Sequence, residues 1–227
     1  MRPERLLLAA FGLALAGDLG SLLAGFTPGH TVFKPLLMPL LAGWAVCAWR
    51  VTSGAGVPRL LVAALLFGWG GDVLLLFDAE PAFLGGMASF AAGHVCYLLL
   101  FKRYGTARPH TLLLGLAYGA ALAGTVALLW ADLPAELRIP VAGYSLLLTA
   151  MAFRSARLGL AAGVGGALFL LSDTLIATGI AEWPQLPRPD FWIMLTYAAA
   201  QYLLARGVLA ALTPTAAVPT TPARVRP

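Results

Sequence analysis

Charge is scarce in this chain: Lys, Arg, Asp and Glu together make up 11% of 227 residues. A soluble domain of this length carries about a quarter charged residues, and could not hide a 60% hydrophobic composition in one core. Cysteine is nearly absent, with only Cys47 and Cys96, both inside apolar runs, so neither a disulfide framework nor a thiolate metal site is implied. Histidine is limited to His30, His94 and His110, with no H-E-x-x-H or comparable pair, which leaves zinc chemistry without ligands. No G-x-S-x-G is present, so a serine nucleophile lacks its usual setting. The net charge of +5 comes from connecting segments and the tail, which speaks for membrane orientation and not for nucleic acid.

What is abundant is apolar length. A mean hydropathy of +0.84 and apolar runs of about 20 residues define a polytopic membrane protein, all-α, because in lipid every backbone group must pair within its own segment. Cutting at charged and Pro/Gly-marked breaks gives eight spans. They run from Arg5 to Gly25, Thr31 to Trp49, Leu60 to Phe77, Phe83 to Phe101, Thr111 to Trp130, Ile139 to Phe153, Leu158 to Ile180 and Phe191 to Leu212. The sixth is short. Pro35 and Pro39 predict a kinked or partly unwound start to the second. Residues 1–212 read as one transmembrane domain and 213–227, rich in Pro and Thr, as a disordered cytoplasmic tail. The N-terminal run resembles a signal peptide, yet the topology needs it as a span.

Basic residues cluster in alternate connections: Arg2 and Arg5; Arg50 and Arg59; Lys102, Arg103 and Arg108; Arg154 and Arg157; Arg224 and Arg226. The positive-inside rule then places both termini in the cytoplasm, with eight spans between them. A bacterial cytoplasmic membrane is expected, since no organelle address is visible.

Into this apolar chain are set carboxylates that lipid should exclude. Asp72 lies in FGWGGDVLLLF and Asp173 in GALFLLSDTLIATGI, and a charge at mid-bilayer costs roughly 3 kcal/mol or more, so each is a functional candidate. Asp18 is a third. At 1.5 Å per residue all three acids fall in one layer roughly 20 Å from the cytoplasmic edge. Lys34, His94, Tyr197 and Gln201 lie on inward-running spans, where they could converge with the acids on one cavity; Tyr97 is a further candidate. Each also has a structural reading: Asp18 satisfying a neighbouring helix, Lys34 snorkelling outward, His94 hydrogen-bonded in the interior, and Tyr97, Tyr197 and Gln201 bridging helices. Gly68, Gly70, Gly71, Gly163, Gly165 and Gly166 suggest close packing that brings the two acid-bearing helices together. A faint echo, GGDVLLL then HVCY against LSDTLIA then TYAAAQY, suggests a four-helix unit repeated in parallel.

Two carboxylates a few ångströms apart cannot both ionise, so one keeps its proton while the other stays anionic. Such a pair suits hydrolysis by general acid and base. A proton- or cation-coupled transporter would use the same acids without needing them as a pair.

The pieces KPLLMP (34–39), GWGGDVLLLF (68–77), Phe90 with GHVCY (93–97), LFLLSDTLIA (168–177) and MLTYAAAQYLLARG (194–207) resemble, in order and spacing, the YhhN/TMEM86 family of polytopic membrane proteins. The resemblance covers spans two to four and seven to eight. It implies lysoplasmalogenase activity: hydrolysis of the sn-1 vinyl ether of a lysophospholipid substrate in the bilayer, giving a fatty aldehyde and glycerophosphoethanolamine or glycerophosphocholine. No cofactor or metal is implied. It maps the family's two motif aspartates onto Asp72 and Asp173. For such a substrate, the charge of Lys34 suits contact with the phosphate from the outer side. The oligomeric state is not readable from the sequence.

Overall fold

In the computed structural model the described residues are 2–53, 58–106 and 111–213. The expected tail from 214 onward, Arg108 and His110 lie outside them. Among the described residues there are eight α-helices and no strand: α1 (Pro3–Ala24), α2 (Thr27–Ser53), α3 (Arg59–Leu74), α4 (Glu80–Tyr104), α5 (Thr111–Leu129), α6 (Ala135–Ser155), α7 (Leu160–Ile180) and α8 (Pro189–Leu212). Seven are long and apolar enough to cross a membrane. The exception is α3, whose 16 residues rise about 24 Å and are followed by a turn at 75–77.

Local signals explain the boundaries. Pro in the first turn, with Glu4, Glu80 and Asp190 against the positive helix end, starts α1, α4 and α8. Gly25, at φ +69°, lets α1 end in a Schellman turn, the Phe26 amide donating to the Ser21 carbonyl at 2.8 Å. That turn places α2 antiparallel hard against α1, starting at Thr27, four residues before the expected start.

The opening of α2 is not unwound: helix continues through Pro35 and Pro39 without a break. Pro39 has no N–H for the Pro35 carbonyl, and that freed oxygen accepts instead from the Trp69 indole of α3 at 3.0 Å. The sixth span is likewise longer than its expected Ile139 to Phe153, because α6 runs through Pro140 and its charged first turn, beginning at Ala135.

Consecutive helices pack together within two runs, α1 to α4 and α5 to α8. The runs are joined chiefly through α8, which packs on α1, α2, α3 and α4, and through α4 on α6. Accordingly α8 is the most buried helix, and α5 the least. Outward-facing Leu13, Leu112, Ile139 and Leu160 are each more than 70% exposed, so the outer surface is apolar and lipid is its solvent. The chain is an integral membrane protein.

Candidate active site

The interior polar groups gather where α2, α3, α6, α7 and α8 meet. Asp72 sits in the last turn of α3, and Gly68 on the same face makes room for what reaches it. A Cβ at Gly68 would lie 2.9 Å from Gln201 Nε2 and 3.2 Å from Tyr197 Oη. In the space that glycine leaves, the Tyr197 hydroxyl of α8 donates to Asp72 Oδ2 at 2.9 Å. Behind it, Gln201 Nε2 donates to the Tyr197 oxygen at 3.3 Å and Gln201 Oε1 accepts from Tyr97 of α4 at 2.8 Å. All four side chains are buried.

The second acid has its own chain. Tyr144 of α6 donates its hydroxyl to Asp173 Oδ2, and the Tyr144 oxygen lies 3.0 Å from Nε2 of His94 on α4. Neighbouring Ser172 takes no part, since its hydroxyl donates to the Ile193 carbonyl at 3.1 Å. Each acid is thus reached from the other run of four helices, Asp72 directly by Tyr197 and Asp173 by His94 through Tyr144. The rings between the two chains lock together edge to face: Phe169 has centroids 4.8 Å from His94, 5.4 Å from Tyr197 and 6.2 Å from Phe90.

Asp72 and Asp173 both line one cavity of about 280 Å³, together with Lys34, Tyr144 and Tyr197. The rest of its wall is mainly apolar, including Leu75, Phe83, Met87, Leu122 and Ile180. The volume is just under the usual range of small-molecule sites, about 300–1,000 Å³, and the wall suits a hydrocarbon chain with a few polar groups at one place.

Of the sequence candidates, Lys34, Asp72, Asp173 and Tyr197 share this cavity, while His94, Tyr97 and Gln201 stand behind it as hydrogen-bond partners. Asp18 does not join them. Its carboxylate accepts from His30 Nδ1 at 2.7 Å, tying α1 to α2, because the tight turn at Gly25 folds the first turns of α2 back beside it. The glycines also act differently from the expectation that they bring α3 and α7 together. Gly71 faces Phe90 of α4 and Gly68 faces α8, whereas Gly165 faces Ala200 and Leu204 of α8 and Gly166 faces Ala152 of α6. The acid-bearing helices therefore meet through α8, and α3 and α7 are not a packed pair.

Tyr144 is the residue sequence reasoning missed. The available signal was a Tyr-Ser pair at 144–145 in the middle of an otherwise apolar span. Among the described residues no group of three or more His, Cys, Asp or Glu side chains could hold a metal ion.

A polytopic helical membrane protein with two aspartates on one apolar-walled cavity is the class that fold and site define. A family model, the YhhN family, matches residues 29–208, and the chain belongs to that family. It is 37% identical to lysoplasmalogenase TMEM86B of Homo sapiens over 177 residues, 78% of this chain and 74% of the relative. The Sus scrofa TMEM86B lysoplasmalogenase is 39% identical over 158 residues, 70% and 67% of the two chains. Lysoplasmalogenase TMEM86A of Homo sapiens is 30% identical over 178 residues, 70% and 72%. No solved structure matches.

Proposed function

We propose that this protein is a lysoplasmalogenase of a bacterial cytoplasmic membrane, hydrolysing the sn-1 vinyl ether of a lysoplasmalogen to a fatty aldehyde and glycerophosphoethanolamine or glycerophosphocholine. The observation that carries the reading is the presence of both Asp72 and Asp173 on one apolar-walled cavity, each held by a tyrosine hydroxyl, in a chain whose relatives are lysoplasmalogenases.

Cleaving an enol ether needs a proton at its β-carbon, a negative charge near the oxocarbenium ion that results, and water to capture that ion as a hemiacetal. A carboxylic acid and a carboxylate supply the first two, and the carboxylate can also take a proton from the attacking water. The alkenyl chain lies along the apolar wall, and Lys34 is the cation available to the phosphate. A transport reading predicts solute flux and no bond cleavage. The test is aldehyde release from lysoplasmenylethanolamine by purified protein; flux in proteoliposomes without aldehyde would replace the hydrolase with a transporter.

A further inference from the structure

The two hydrogen-bond chains that end on the acids differ in what reversing them requires. Gln201 orients the first, because an amide nitrogen only donates and an amide oxygen only accepts, so reversal requires the whole buried amide to turn over between Tyr97 and Tyr197. With Oε1 accepting from Tyr97 and Nε2 donating to the Tyr197 oxygen, the Tyr197 hydrogen is left pointing at Asp72. An oxygen that receives that hydrogen is satisfied as a carboxylate. Lys34, on the same cavity, adds a positive charge to the same effect.

The second chain ends on an imidazole, whose Nε2 donates in one neutral tautomer and accepts in the other. His94 is 1% exposed and its Nδ1 has no hydrogen-bond partner, so no third group fixes the tautomer. The chain can therefore run from His94 through Tyr144 to an Asp173 carboxylate, or from a protonated Asp173 through Tyr144 to His94. Asp173 can hold a proton and give it up with every member of the chain still paired.

We propose that Asp173 is the proton donor and Asp72 the resident carboxylate, with Tyr144 and His94 as positioning residues of the first and Tyr197 and Gln201 of the second. The assignment rests on the vinyl ether reading. In the first step the Asp173 O–H bond breaks and its proton forms a C–H bond with the β-carbon, the π electrons of the alkene supplying that bond while the ether oxygen stabilises the cation. Water then attacks the α-carbon and loses a proton to Asp72, giving the hemiacetal. In the collapse Asp173 takes the hemiacetal hydroxyl proton, the bond from carbon to the glycerol oxygen breaks, and Asp72 returns its proton to that oxygen. Both acids end as they began, and one water is consumed.

The titratable and charged groups around the pair are Lys34 from α2, His94 and Tyr97 from α4, Tyr144 from α6 and Tyr197 from α8, and Asp18 of α1 lies close enough for its charge to act on Asp72 against that of Lys34. The Asp18–His30 pair on α1 and α2 lies outside the cavity lining. The test is the pH profile of kcat/KM on lysoplasmenylethanolamine for wild type, Tyr144→Phe, His94→Gln, Tyr197→Phe and Gln201→Leu. The first two variants should move the high-pH limb and leave the low-pH limb in place; the last two should do the reverse. A second readout is rescue of the alanine variants by added formate. Rescue of roughly tenfold or more, the scale of general acid–base catalysis, should fall with rising pH for Asp173→Ala and grow with it for Asp72→Ala. The opposite pairing, or both limbs moving together in all four variants, overturns the assignment. A wild-type protein inert on the vinyl ether overturns the reading beneath it, and is told apart because no limb is then measurable.

Discussion

Replacing Gly68 by alanine adds one methyl group more than a turn away from Asp72, yet the geometry makes it a test of the site. The new carbon would stand 2.9 Å from Gln201 Nε2 and 3.2 Å from Tyr197 Oη. Non-bonded heavy atoms settle at about 3.5–4.0 Å, so these two groups must retreat by roughly 0.5 Å. Gln201 is anchored on both sides and Tyr197 is packed against Phe90 and Phe169, which leaves the 2.9 Å bond to Asp72 as the contact that gives. Stretched by that amount it leaves the ordinary hydrogen-bond range. A bond to a charged group contributes about 1.5–3 kcal/mol, so kcat/KM should fall roughly 10- to 100-fold. Overpacking a buried site costs about 1–3 kcal/mol, more than the roughly 0.5–1 kcal/mol alanine gains over glycine in a helix, so folding is checked by melting and kcat/KM is taken per folded molecule. The assay is aldehyde release in detergent, with Gly20→Ala as control, since a Cβ at Gly20 meets nothing within 4 Å. Gly68→Ala at wild-type kcat/KM refutes the reasoning, as does a Tyr197→Phe background in which the alanine costs as much as it does alone.

Trp69→Phe should destabilise the protein by about 1 kcal/mol, the usual worth of one hydrogen bond, by orphaning the Pro35 carbonyl. In a Pro39→Ala background, where the helix can satisfy that carbonyl, thermal melts should show most of this cost gone. Asp18→Ala should lower stability by about 1–3 kcal/mol through the unpaired His30, read by thermal melts, while kcat/KM per folded molecule falls far less than in Asp72→Asn because Asp18 acts on the site only through its charge. Turnover should survive prolonged chelation; loss on chelation with recovery on adding metal would point to ligands beyond the carboxylate pair.

Much of the fold could be read because the solvent imposes it: long apolar runs in lipid have few options besides helices, and all eight expected segments are helical, seven of them long and apolar enough to cross a membrane. Boundaries were less legible: α2 and α6 each start four residues before the expected position, at Thr27 and Ala135, and run on through the prolines within them, while α3 ends at Leu74, short of the expected Phe77. Asp72 and Asp173 stood out because charge in lipid is costly wherever it occurs. Tyr144 did not, since a tyrosine within a span is cheap to bury and nothing in its neighbours announces which helix it faces. For Asp18 the structural reading, a carboxylate satisfied by a neighbouring helix, is the one the pairing with His30 matches. Depth along a helix is readable from residue counts, whereas position in the membrane plane depends on turns such as that at Gly25, and that turn gives Asp18 to His30.

The central claim is that two intramembrane aspartates on one cavity hydrolyse a vinyl ether. Aldehyde release from lysoplasmenylethanolamine should therefore be measured for the purified wild type beside Asp72→Asn and Asp173→Asn, with folding of each checked by melting. Turnover in the wild type, lost by roughly a thousandfold or more in each folded variant, is the predicted result, in line with removing a catalytic acid or base together with its electrostatic stabilisation. Turnover retained in both variants, or no aldehyde from folded wild type, would contradict it.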